Sequence, residues 1–277
     1  MVHPCYEHIT RIILFACVNF LRPSHRLNEV DLLSLILSVI VGGIIGILIN
    51  YFSDVLPASR RITRPLCRVC NQPYSIKDYL VSWRCSRCGN RTSTRSIIVL
   101  ISAIALCILL KFFPFSILGF WATLPILIFL GVILVIDIDH RAVLVETSIF
   151  GFVLFLIYGI SLRGFSRTII GALAGLLIML LFYYLGIAFN KIAGKLRHQE
   201  IDEVAFGFGD VLVGTVLGLL TGWPSIAGAI VIAILAFGAY SLVLLFSLLI
   251  SKRYRAFASA QAFTPFLILG AIAIFYL

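Results

Sequence analysis

Two sets of residues in this chain have the types and spacings that do chemistry. The first is four thiols, Cys67-x2-Cys70 and Cys85-x2-Cys88. Two such knuckles joined by a short loop place four thiolates at tetrahedral corners, the geometry of a structural Zn2+ site. Four thiolates close the coordination sphere and leave no position for water, so this metal would be structural rather than catalytic. Asn71, Gly89 and Asn90 suit the tight turns that follow each knuckle. The competing reading of the same spacing is two redox or disulfide pairs. Cys5, Cys17 and Cys107 are isolated, and a small buried hydrophobe is the default for each.

The second set is acidic. Of twelve Asp and Glu residues, three stand at the ends of apolar runs. Asp137 follows Leu134-Val135-Ile136, Asp139 comes two residues later, and Asp210 closes Phe206-Gly207-Phe208-Gly209-Asp210. Any one of them alone could simply mark a water interface. Two carboxylates brought together in a partly dry site cannot both ionise cheaply, so they share a proton. The ionised member then takes a proton from water, the water attacks a carbonyl, and the protonated member donates to the developing oxyanion. Gly207 and Gly209 allow close backbone approach to an extended substrate and an unwound helix start. His140, His198 and Glu146 are weaker candidates, and Glu200, Asp202 and Glu203 read as a solvated acidic run able to attract a basic segment. No Gly-x-Ser-x-Gly, His-Glu-x-x-His or phosphate loop occurs.

The elements that must position these residues are membrane helices. The chain has 277 residues, is 61% hydrophobic and 12% charged, and has a mean hydropathy of +1.09. Lipid is the solvent for most of such a chain. A crossing needs about 20 apolar residues, and such stretches recur at 33–53, 97–114, 117–137, 144–161, 168–190, 211–223, 225–250 and 258–277. They predict an all-α polytopic membrane protein with about eight transmembrane helices. The stretch from Val211 is short and Gly-rich, which suits a tilted, broken or partly buried helix.

The net charge of +10 sorts by loop rather than suggesting nucleic acid. Residues 54–96 carry nine Arg and Lys against Asp54 and Asp78, so the positive-inside rule makes that loop cytoplasmic. Counting crossings from there puts Asp139-His140-Arg141 and the segments 191–210 and 251–256 on the same side. The connections near 115, 162–167 and 223 then lie outside and hold only Arg163 and Arg167. Lys111 is the misfit and can snorkel to the outer interface. The chain thus divides into an N-terminal extension or interfacial segment (1–31), a first transmembrane helix (32–53), a small cytoplasmic zinc-ribbon-like cysteine module (54–96) and a transmembrane core (97–277).

Most of the chain after residue 40 resembles the type IV prepilin peptidases, of the GxGD group of intramembrane aspartyl proteases. Gly46-Ile47-Leu48-Ile49-Asn50 through Leu56-Pro57 is similar to that family's first-span exit, and the paired CxxC module follows. Ile136-Asp137-Ile138-Asp139-His140-Arg141 and Gly207-Phe208-Gly209-Asp210-Val211 resemble its two aspartate motifs. Phe263-Thr264-Pro265-Phe266-Leu267 with Gly270 looks like its last span. The resemblance implies a protease core over 97–277 with Asp137 and Asp210 as the catalytic pair. Asp139, Gly207 and Gly209 would then be neighbours on the substrate side. It also implies prepilin or pseudopilin substrates, cleaved where a basic leader meets an apolar helix, at the cytoplasmic face of the inner membrane. Several positions depart from the family pattern. Leu144-Val145-Glu146 replaces a Pro-Asp, Leu212 a lysine and Leu100 a glutamate, and the linker between the two CxxC pairs is short. N-methylation of the product from S-adenosylmethionine stays open, since no Gly-rich nucleotide loop points to it independently. A proton- or cation-coupled transporter and a noncatalytic scaffold with a zinc module are the competing readings, membrane lipid is a partner in all three, and the oligomeric state is unassigned.

Overall fold

The computed structural model describes residues 29–60, 62–67, 69–75, 78–79, 84–89, 94–115, 117–140, 144–197, 207–251 and 262–276. The expected N-terminal segment lies outside the described residues up to position 28, together with Cys5 and Cys17. So do Asn90, Arg141, His198, the acidic run at 200–203 and the basic loop at 252–256. Among the described residues the architecture is all-helical: α1 (Glu29–Ser59), α2 (Thr94–Phe112), α3 (Gly119–His140), α4 (Val145–Arg163), α5 (Phe165–Arg197), α6 (Phe208–Thr221), α7 (Ser225–Ser251) and α8 (Thr264–Tyr276). Lipid offers the backbone no hydrogen-bond partners, so each segment satisfies its own peptide groups as helix.

Six of these helices are long and apolar enough to cross a membrane, which makes this a multi-pass membrane protein. Their outward faces are apolar, with Leu33, Leu235 and Val243 each about two-thirds exposed or more, as expected where the surrounding solvent is lipid. The other two of the eight expected crossings are short. α6 has 14 residues and α8 has 13, about 20 Å each against a hydrocarbon thickness of about 30 Å. Several helices overrun their expected limits. α1 continues through Pro57 to Ser59, and α5 spans 33 residues, well past the apolar stretch that ends near 190.

Among the described residues the interior forms two cores that share α3. Ile126, Phe129, Leu130 and Ile133 of α3 join the larger core, with Phe155 of α4, Met179 of α5, the inner face of α6, and α7 and α8. Val132, Val135 and Ile136 of the same helix face Ile45 and Ile49 of α1 and Val99, Ala103 and Cys107 of α2. α6 is the centre of the larger core, packed against α4, α5, α7 and α8. Cys107 is fully buried, as a small hydrophobe would be.

Small residues set the helix spacing. A methyl on Gly42 or Gly46 of α1 would fall 2.7 Å from the Cα of Ile104 or 2.9 Å from that of Leu100 on α2. On α5, a methyl at Gly171 would lie 2.6 Å from the Cα of Gly222, just beyond α6, and one at Gly175 would lie 3.1 Å from the carbonyl carbon of Gly214. On α6, a methyl at Gly218 would lie 2.9 Å from the carbonyl carbon of Gly171. In each pair the glycines are four apart, on one helix face. Lipid is as apolar as leucine, so close backbone packing of this kind supplies what the hydrophobic effect does not.

α5 and α6 run antiparallel from this contact. Tyr183 of α5 reaches Phe208 at the start of α6, ring centroids 6.0 Å apart. α5 then continues to Arg197, so it overhangs the start of α6 by roughly 20 Å.

Candidate active site and cysteine module

The C-terminal end of α3 and the N-terminal ends of α6 and α8 meet at one end of the bundle, and each contributes one polar side chain. Asp137 sits in the last turn of α3, Asp210 is the third residue of α6, and Thr264 is the first of α8. All three are buried, at 6%, 8% and 0% exposure. Asp210 accepts two hydrogen bonds, from the Thr264 hydroxyl to Oδ1 at 3.0 Å and from the Gly207 N–H to Oδ2 at 3.2 Å. The second is the return half of a capping box, which ties the carboxylate to the start of its own helix. The Asp137 carboxyl lies near enough to Asp210 to interact with it electrostatically, and within reach of the same Thr264 hydroxyl. Among the described residues, Asp137 Oδ2 is buried without a hydrogen-bond partner.

The structure therefore brings together Asp137 and Asp210 from helices that are far apart in sequence. The two glycines behave differently from each other. Gly207 caps α6 in an extended conformation, with φ −77° and ψ 151°, whereas Gly209 already lies within the first helical turn. The unwound start expected across both glycines is thus present at Gly207 only. Glu146 is no third buried acid: its side chain is 44% exposed, 3.9 Å from Arg60. His140 ends α3 and is exposed.

Asp139 points into a different network. Arg95, at the start of α2, bonds Asp139 Oδ2 at 2.5 Å and Asp54 Oδ1 of α1 at 3.1 Å, and also bonds Ser53 Oγ at 2.5 Å. Asp54 in turn accepts a hydrogen bond from Tyr79 of the cysteine module at 3.1 Å. Burial and the Asp54 charge both push the Tyr79 phenol up, so it stays a donor. Nearby, the Asn50 amide donates to the Ser96 carbonyl at 2.9 Å and joins α1 to α2. Charge counting treated Arg95 and Asp54 as loop charges, but in the fold they join α1, α2, α3 and the module at the end of the bundle that holds the acids.

In the module, the sulfurs of Cys67 and Cys88 are 3.6 Å apart, as are those of Cys70 and Cys85, and all four lie within 4.8 Å of one another. A tetrahedral zinc with Zn–S near 2.3 Å places its sulfurs about 3.8 Å apart, so the four thiols fit such an ion. Each knuckle closes by a backbone bond, Asn71 N to Cys67 O and Gly89 N to Cys85 O, both at 2.9 Å. Asn71 and Gly89 take the positive φ values, 53° and 68°, that their positions after the knuckles suggest. Burial alone would raise the Cys67 thiol, but the N–H groups of Cys70 and Val69 and the Tyr74 hydroxyl outweigh it and hold it at about 6. The N–H groups of Cys88 and Arg87 likewise lower Cys85. Such donors favour thiolate, the form that binds metal.

Thr264 and Arg95 are the residues that sequence reasoning did not single out. Thr264 carried a signal, as the residue before a proline at the start of an apolar stretch, but nothing in that signal named its partner.

Residues 124–242 match the model of the type IV leader peptidase family. The match begins within α3, ends within α7 and includes both buried acids. It agrees with the family resemblance carried by the motifs and supports a peptidase of the leader-peptidase type, acting on a protein substrate. No curated protein and no solved structure matches the chain significantly.

Proposed function

We propose that this chain is an aspartic endopeptidase of the inner membrane. It removes the basic leader from type IV prepilin or pseudopilin-like substrates at the cytoplasmic face, with Asp137 and Asp210 as its catalytic pair. The observation that carries the reading is the convergence of two buried carboxylates from separate helices inside the stretch that matches the leader peptidase family.

Asp210, held by Gly207 N–H and the Thr264 hydroxyl, has a fixed orientation. Asp137 Oδ2, without a partner among the described residues, is the oxygen available to a reacting group. One carboxylate removes a proton from water as that water attacks the scissile carbonyl, and the other carboxyl donates its proton to the oxyanion. On collapse of the gem-diol intermediate the first carboxyl gives the proton it took from water to the leaving amine while a diol hydroxyl gives its proton back to the second carboxylate, so the pair again shares one proton. Both acids are nearly closed to water, at 6% and 8% exposure, which suits this chemistry. The four cysteines would hold a structural Zn2+, which fixes the fold of the module and takes no part in hydrolysis. Asp139, tied to Arg95 and Asp54, acts on the geometry of the α3 end from outside the pair.

The test is cleavage of a co-expressed prepilin by wild type, Asp137→Asn, Asp210→Asn and, as control, the exposed Glu146→Gln. Loss of the processed form in both Asp→Asn variants and its retention in the control is the expected pattern. Processing that survives either Asp→Asn substitution rules out the two-carboxylate mechanism.

A further inference from the structure

Threonines in the helices of this bundle usually bond to their own backbone. Thr123, Thr147, Thr168, Thr215 and Thr221 each donate to a carbonyl three or four residues earlier, at 2.7 to 2.9 Å. Thr264 does not. It is the first residue of α8, so its own helix has no preceding turn to take the proton, and its hydroxyl reaches across to Asp210 on α6 at 3.0 Å. The residue is wholly buried, so water does not compete for that bond. The Thr264 backbone N–H is within reach of the same carboxylate, and the hydroxyl is within reach of Asp137 as well.

A hydroxyl has one proton to give and lone pairs to receive. Given to Asp210, that proton leaves the oxygen free to accept from the Asp137 carboxyl whenever Asp137 carries the shared proton. We infer that Thr264 is a positioning residue for the dyad, a hydroxyl bridge that holds the two carboxyls in reacting register and makes α8 a third wall of the active site. This rests on the peptidase reading above and adds a residue that lies beyond the matched family region.

Three variants test it in purified, detergent-solubilised full-length protein acting on a prepilin peptide. Thr264→Val keeps the shape and removes the hydroxyl, Thr264→Ser keeps the hydroxyl and removes the methyl, and Thr264→Cys replaces the oxygen with a poor donor. Losing a hydrogen bond to a charged group costs roughly 10- to 100-fold in rate. The expected result is a loss of that size in kcat for the Val and Cys variants with KM unchanged, and a Ser variant within about threefold of wild type. A residue needed only for packing would give the opposite order, with Val near wild type and Ser impaired. That order, or a wild-type kcat in the Cys variant, overturns the inference while leaving the peptidase intact. If Val fails to fold, the Ser and Cys pair still decides. An inactive wild type, or an active Asp210→Asn run alongside, overturns instead the peptidase reading and the bridge with it.

Discussion

Replacing Gly171 by alanine probes the contact that positions Asp210. The added methyl would sit 2.6 Å from the Gly222 Cα and 2.7 Å from its carbonyl carbon. Both are backbone atoms and cannot rotate away. An ordinary contact begins near 3.4 Å, so α5 and α6 must separate by about 0.8 Å. Overpacking of a tight interior costs about 1–3 kcal/mol, and a purely backbone clash belongs at the upper end. The effect on catalysis is larger, since a misplacement of about 1 Å can cost about 100-fold in rate, and α6 carries Asp210 while α3 carries its partner. Gly43→Ala is the matched control: the same added methyl on α1 meets nothing within 4 Å, and alanine favours helix over glycine. Thermal unfolding in detergent and cleavage of a co-expressed prepilin read the two consequences separately. Gly171→Ala should unfold several degrees below wild type and process far less substrate, with Gly43→Ala at or above wild type in both. Wild-type stability and processing in Gly171→Ala would refute the claim that backbone contact between α5 and α6 sets the site.

Two further outcomes follow from the module and its attachment. Purified protein should carry about one zinc per chain by elemental analysis, and Cys67→Ser or Cys85→Ser should lose most of it; a metal-free wild type with all four thiols intact would contradict the metal reading. Arg95→Met leaves Asp54 and Asp139 facing each other at side-chain exposures of 20% and 21%. Breaking a fully buried pair costs about 3–5 kcal/mol, and partial solvent access reduces that to about 2 kcal/mol, seen as a lower melting temperature. Arg95→Lys should recover only part of it, because one ammonium can stand where Nη1 meets both carboxylates but supplies no second nitrogen for the bond that Nη2 makes to Ser53 Oγ.

The acids were legible because acids are rare here and Asp137 closes one apolar run while Asp210 opens another, where an interface or a buried site is expected. The cysteine module was legible because metal ligands impose their own spacing. Thr264 was not, since a threonine near a helix end satisfies its hydroxyl locally in most cases, and only the three-dimensional meeting of α6 and α8 sends this one elsewhere. Arg95 counted as one basic charge among nine in its loop, and nothing in sequence distinguishes a solvated arginine from one that joins three helices. The glycine pairs at 42 and 46, 171 and 175, and 214 and 218 share the four-residue spacing of close helix contacts, but their role came only from the structure, because spacing alone does not say which helix each meets. Helix ends ran past the apolar stretches in α1 and α5 because a polar segment can continue a helix once it has left the lipid.

The sharing of α3 between two cores has a consequence for the order in which the molecule is made. The smaller core uses α1, α2 and α3, three consecutive segments that can pack as soon as they are inserted. Asp137 therefore takes its place early, on a helix already braced on one side. Asp210 and then Thr264 arrive later; synthesis from the end of α3 to the start of α8 takes on the order of ten seconds. A ribosome-bound chain of intermediate length has one carboxyl and no partner for it. On the proposed mechanism hydrolysis waits for α6 to bring Asp210 to Asp137 and reaches its full rate when α8, the last of the described helices, closes against α6, so a chain without α6 cannot act on other nascent chains in the same membrane.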